Sequence, residues 1–146
     1  MEESRKSSET LLHILVPMLL TFTTQRLILH HSHPDTHVFV AGFLVHHLFS
    51  GILVLVPTAF LLAMGIRSPL KRKIALVSLG FSSAMVLDEV IYMICTDQSG
   101  VAYRGSVSLW GAVVLLSAAT FFLIAAHFRS QRCSTRMELE SAGGNR

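Results

Sequence analysis

Residues Ile74–Cys95 read IALVSLGFSSAMVLDEVIYMIC, and the class of the whole chain follows from them. The run has the length of a helix that crosses a hydrocarbon core of about 30 Å. It is apolar apart from a few hydroxyls and one pair of adjacent acids, Asp88 and Glu89. Even the lowest scales place the cost of an aspartate at the bilayer centre at about 2.5 to 3.5 kcal/mol. Two neighbouring carboxylates therefore need protonation, cationic partners, a hydrated cavity or a metal ion. Gly80, Ala84, Asp88 and Tyr92 recur every four positions, which predicts a small and polar stripe on one helix face, with Glu89 beside it.

Three more apolar runs flank this one: Leu11 to about Leu29 with Pro17 inside, Val38 to about Met64 with Pro57 near its far end, and Ser106 to Phe128. The second is long enough that it should tilt, kink or project beyond the bilayer. Short connections at residues 30–37, 65–73 and 96–105 make sequential helices antiparallel neighbours. Only 14% of the 146 residues are charged and 51% are hydrophobic, against about 25% charged in a soluble domain. The chain is read as an all-α polytopic membrane protein of four antiparallel transmembrane helices. It has a short tail at 1–10, a helical domain at 11–128 and a mobile tail at 129–146. A soluble enzyme domain, a nucleic-acid binder and a secreted disulfide scaffold are poor fits.

Arg5 and Lys6 before an apolar run imitate a signal peptide. Gln25, Arg26 and a histidine cluster follow in place of a small-residue cleavage site, and Glu2, Glu3 and Glu9 are atypical of a basic leader, so the first run is expected to stay as a membrane helix. Basic residues gather in the N-terminal tail, at Arg67, Lys71, Arg72 and Lys73, and at Arg129, Arg132 and Arg136. The other side has Arg104, plus Arg26 in a position to snorkel. Both termini are therefore expected in the cytoplasm.

That topology gathers the ionisable residues of the interior at the non-cytoplasmic end. His46 and His47 lie in the second run, about 12 Å below its start at Val38, and Glu89 lies about 9 Å below Cys95 on the antiparallel neighbour. The pairs are expected to meet. Imidazole nitrogen and carboxylate oxygen together suit Zn²⁺ or Fe²⁺, and an oxygen-rich set suits Mn²⁺. The expected first ligands are His46, His47, Asp88 and Glu89, with His30, His31 or His37 completing the set, and with Glu89 or Asp88 moving a proton in catalysis. One metal and a carboxylate-bridged pair of metals both remain open. Neither His-x-x-x-His nor Glu-x-x-His occurs in these interior pairs, so no soluble zinc-protease or ferritin-type assignment transfers. Ser50 and Gly51 follow the histidines by one turn and leave room for a partner helix, water or ligand. Tyr92 is one turn from Asp88 and is a candidate donor to it. Tyr103 reads as a boundary residue, and Trp110 as an interfacial anchor. Cys95 and Cys133 fall on opposite sides and do not pair.

The order His46-His47, Gly51, Gly80, Leu87-Asp88-Glu89 resembles small, mostly uncharacterised bacterial integral membrane proteins in which a His-His segment precedes an Asp-Glu segment. The resemblance covers roughly residues 30 to 105. It implies a four-helix membrane domain and matches His46, His47, Asp88 and Glu89. This chain departs from the pattern in carrying Phe and Ser around the usual glycine-rich approach to the acidic pair.

Three functions follow as expectations. The leading one is a membrane-embedded His/carboxylate metalloprotein, for which enzyme activity on a hydrophobic substrate near the non-cytoplasmic face stays open. The second is a proton-coupled transporter or metal permease. The third is a noncatalytic assembly or sensor module whose polar pairs fix helix register. Lipid bilayer is the expected partner in each case; nucleic acid is not, and a homo-oligomer is compatible with all three.

Overall fold

The computed structural model describes the backbone of residues 2–31, 39–40, 43–44, 46–96 and 99–143, and the side chains of 7–31, 46–96, 99 and 101–132. Among these residues the chain is helical except for one two-residue antiparallel ladder, β1 (Phe39–Val40) with β2 (Phe43–Leu44). The helices are α1 (Glu2–His31), α2 (His47–Ala63), α3 (Pro69–Cys95), α4 (Gly100–Arg104) and α5 (Ser106–Gly143). The helical part of the last run thus continues beyond Phe128 to Gly143.

Three stretches among the described residues are long and apolar enough to cross a membrane: Ser7–His31, Pro69–Cys95 and Ser106–Arg132. This is a membrane protein built of apolar helices. The second run differs from its expected extent. Its helix begins at His47, not near Val38, and at 17 residues spans only about 26 Å. The residues ahead of it, Val38-Phe39-Val40 and Phe43-Leu44-Val45, are rich in β-branched and aromatic side chains around Gly42, a composition that favours extended backbone.

Helix α3 is the hub, packed against α1, α2 and α5. A glycine marks each of its three contacts. A methyl group at Gly80 would overlap the carbonyl oxygen of Ile14 on α1, and one at Gly111 on α5 would overlap the Ile91 side chain. At Gly51 on α2 it would lie 3.0 Å from Met85 Cβ and 3.1 Å from the Ser82 carbonyl oxygen. Small residues permit this approach, which in lipid replaces the hydrophobic effect as a source of helix association. The contacts also fix direction. Ile14 and Arg26 meet Gly80 and Asp88 in the same order, so α1 runs parallel to α3. Gly51 and His46 meet Met85 and Glu89 in reverse order, so α2 is antiparallel to it.

The bundle is turned inside out relative to a soluble one. Buried positions include Ser82, Ala84, Asp88, Glu89, Ser108 and Ala112, while Leu53, Phe60, Phe121 and Phe122 face outward. One apolar cluster, Met18, Ala84 and Leu116, closes the middle, with Leu15, Phe22, Leu87 and Leu123 against it. Gly65 ends α2 in the left-handed conformation at φ 78°, and Pro69 starts α3 at a position where a missing N–H costs nothing. At the far end of the bundle the Ser7 hydroxyl bonds His127 Nδ1 at 3.0 Å, joining α1 to α5.

Candidate functional site

The expected stripe on α3 is buried along its length: Gly80, Ala84, Asp88 and Tyr92 all face inward, and Glu89 is buried beside them. Helix α2 begins at the depth of Glu89, six residues before the end of α3. Its first amide groups therefore open into the bundle and not into water, where unpaired N–H groups are costly. Residue His46 precedes the helix without capping it through its side chain. Glu89 supplies the cap from α3. Its Oε2 accepts from the Leu48 N–H at 2.6 Å, while Oε1 pairs with His46 Nδ1 at 2.7 Å. A carboxylate at a helix N-terminus also opposes the positive end of the helix dipole.

Asp88 faces α1 and α4. Arg26 Nε donates to its Oδ1 at 2.6 Å, and the Tyr103 hydroxyl donates to Oδ2. The rest of the guanidinium is held by backbone and hydroxyl oxygens. Nη1 donates to the Tyr103 carbonyl at 3.2 Å, and Nη2 to the carbonyls of Asp88 and Ser108, each at 3.3 Å, and to Ser108 Oγ at 3.2 Å. Its carbon lies 5.0 Å from the centre of the Tyr103 ring, a cation–π contact. Asp88 is fully buried and the Arg26 side chain is 12% exposed. The expectation that Arg26 snorkels outward is therefore corrected: it turns inward, because a buried carboxylate one helix away offers it a charged partner.

The histidines extend this network. His47 Nε2 lies 2.7 Å from the Tyr103 oxygen. A phenol has one proton, and Tyr103 gives it to Asp88, so its oxygen accepts from His47, which must carry its proton on Nε2. The order of donation is His47 to Tyr103 to Asp88, with Arg26 closing the far side. Burial first, and then the adjacent Asp88 carboxylate, push the Tyr103 phenol far above the ordinary tyrosine value, so its proton stays on oxygen. Tyr92 and Tyr103 pack with ring centroids 4.7 Å apart. The phenol bonded to Asp88 is that of Tyr103, where Tyr92 was the expected donor.

Of the expected site residues, His46, His47, Asp88 and Glu89 come together. His47 Nε2 is 4.0 Å from Asp88 Oδ2 and 3.9 Å from Glu89 Oε2. Of these four, His46 and Glu89 form a hydrogen-bonded pair, while His47 bonds Tyr103 and Asp88 bonds Arg26 and Tyr103. Among the described residues no group of three or more His, Cys, Asp or Glu is arranged to hold a metal ion. His30 and His31 are exposed at the end of α1, with rings 5.4 Å apart. His37 lies outside the described residues. Cys95 is exposed and free. The residues that sequence reasoning passed over are Arg26, Tyr103 and Ser108. The signal for Arg26 was its place as the one arginine or lysine in an otherwise uncharged run, opposite two acids whose nearest cations on their own helix, Lys71, Arg72 and Lys73, lie at its other end.

Compared with protein-family models, with curated proteins and with solved structures, the chain matches none.

Proposed function

We propose that the protein is a noncatalytic membrane module of four crossing helices whose polar centre locks helix register. What carries this reading is that both carboxylates of α3 are occupied by protein groups drawn from α1, α2 and α4. In this reading α2, with its 17 residues, is the fourth crossing, at the lower limit of about 17 for a membrane helix. The clusters of Lys and Arg put both termini in the cytoplasm and the polar centre near the other face.

His46 and His47 are faced by Asp88, Glu89 and Tyr92 from α3 and by Tyr103 from α4, with Arg26 of α1 behind. Arg26 is the fixed counter-charge of Asp88, and His46 with the Leu48 N–H holds Glu89, so each acid ties α3 to a different neighbour.

The competing readings ask for more rearrangement. A metal centre, with Zn, Fe or Mn on His46, His47, Asp88 and Glu89, requires His47 to leave Tyr103 and the carboxylates, each oxygen already bonded once, to turn their remaining lone pairs to one point. Proton or metal transport requires a path through Met18, Ala84 and Leu116, whose cluster begins one turn along α3 from Asp88. Amide exchange of the full chain in liposomes tests the proposal. In Glu89→Ala, protection at the first turn of α2 should fall while that of α1 is kept. Unchanged protection at Leu48 in that variant refutes the register lock. Stoichiometric Zn, Fe or Mn in tag-free protein, or ion flux in vesicles, refutes the reading as a whole.

A further inference from the structure

Between α1, α4 and the start of α5 lies a groove of about 400 Å³ that the polar centre does not use. Its walls are apolar: Phe22, Leu27 and Leu29 of α1 and Leu109 of α5. Its mouth carries Arg104 and His30, and Arg26 forms part of its wall. None of the described residues lining it is acidic. From His30 down to Phe22 the groove follows α1 for roughly 12 Å. Trp110, next to Leu109, is 65% exposed and marks the level of the membrane interface.

We propose that this groove binds one anionic phospholipid of the surrounding bilayer, its phosphate between Arg104 and His30 and one acyl chain against the apolar walls. The volume lies within the range of about 300–1,000 Å³ usual for small-molecule sites. The cationic mouth selects a negative headgroup, and a guanidinium matches two phosphate oxygens at once. A lipid is chosen over a water-soluble anion because the walls below the mouth are hydrocarbon and the groove runs along a helix whose outer face, Leu27 and Ile28, is itself exposed. The chain would also cover the exposed edge of Arg26, so occupancy shields the Arg26–Asp88 pair from water. The site depends on the bundle lying in a membrane and not on the register lock of the polar centre.

Native mass spectrometry of the full chain in mild detergent, offered phosphatidylglycerol or phosphatidylcholine with the same acyl chains, tests it. One phosphatidylglycerol should be retained in preference to phosphatidylcholine. Arg104→Gln should weaken that retention roughly tenfold, the loss of one charge-assisted contact. Thr23→Trp, which fills the groove without altering charge, should abolish it. Arg129→Gln makes the same charge change at the opposite end of α5 and should leave it intact. Equal retention of both lipids, an Arg129→Gln effect as large as that of Arg104→Gln, persistence in a Thr23→Trp chain with wild-type helicity, or retention of oleate in place of phosphatidylglycerol would each overturn the assignment.

Discussion

Replacing Arg26 by Met removes the guanidinium but keeps an apolar stem of similar length. Asp88, which has no exposure of its own, is left with the Tyr103 hydroxyl as its remaining strong donor among those described. Breaking a buried ion pair by removing one partner costs about 3–5 kcal/mol. A second route gives a similar figure. If the stranded carboxylate takes up a proton instead, doing so at pH 7 from an ordinary aspartate value near 3.9 costs about 4 kcal/mol. Arg26→Met should therefore lose about 3–5 kcal/mol at pH 7, a large part of the roughly 5–15 kcal/mol that holds a domain together. The second route also fixes a pH dependence. In the variant the folded form holds a proton that the unfolded form releases, so the penalty should shrink by about 1.4 kcal/mol for each unit the pH is lowered, until it nears the ordinary value. Arg26→Met with Asp88→Asn should recover most of the loss, because no unpaired charge remains. Equilibrium unfolding in mixed micelles, followed by helical circular dichroism at pH 7 and pH 5, measures all three. A loss under about 1 kcal/mol at pH 7 would refute the argument that Arg26 is the counter-charge of Asp88, and an equal loss at both pH values would refute the proton-uptake route.

Glu89→Ala removes the acceptor of the Leu48 N–H and the partner of His46, and should cost about 2–3 kcal/mol with faster amide exchange at the first turn of α2. Glu89→Gln, which keeps an acceptor, should cost less. Gly80→Ala sets a methyl group against the Ile14 backbone, and Gly111→Ala sets one against Ile91 Cγ2 and within 2.8 Å of its Cβ, an atom that side-chain rotation does not move, so each should destabilise by about 2 kcal/mol or more in the same unfolding assay. For Tyr103, folded and unfolded chains carry the same phenol proton below about pH 10; above it the unfolded phenol ionises and the buried one does not. Wild type should then lose stability with rising pH more steeply than Tyr103→Phe, by up to about 1.4 kcal/mol per unit, with no phenolate absorbance from Tyr103 while the bundle stays folded.

The helical class and the central place of Ile74–Cys95 were legible because both rest on the chain's own periodicity and length. The four-residue stripe from Gly80 to Tyr92 could be read directly, since each residue answers to the same helix geometry. The meeting of His46 with Glu89 followed from counting rise along two antiparallel neighbours, although α2 begins later than expected and His46 precedes its first turn. What escaped was contributed from far away. Arg26 is separated from Asp88 by 62 positions, and an arginine near the end of an apolar run looks the same whether it reaches to water or turns inward. Tyr103 sits in a five-residue helix that composition reads as connection, and Ser108 carries no pattern that marks it as an acceptor.

The late start of α2 also accounts for the position of the acids. A helix that begins inside a membrane bundle presents amide groups that neither lipid nor a preceding turn can satisfy, and one carboxylate from the neighbouring helix meets that need. Glu89 is then explained by α2, and Asp88, one position away and turned by about 100°, is explained by a different helix, since its oxygens point to Arg26 and Tyr103. The adjacent pair is thus two separate solutions placed side by side, each tying α3 to a different neighbour. That division predicts that damage should be separable. Loss of Glu89 should loosen α2 while leaving α1 docked, and loss of Arg26 should loosen α1 while leaving the start of α2 protected. Amide exchange read helix by helix in the two variants decides it, because a single shared centre would lose both contacts together in either case.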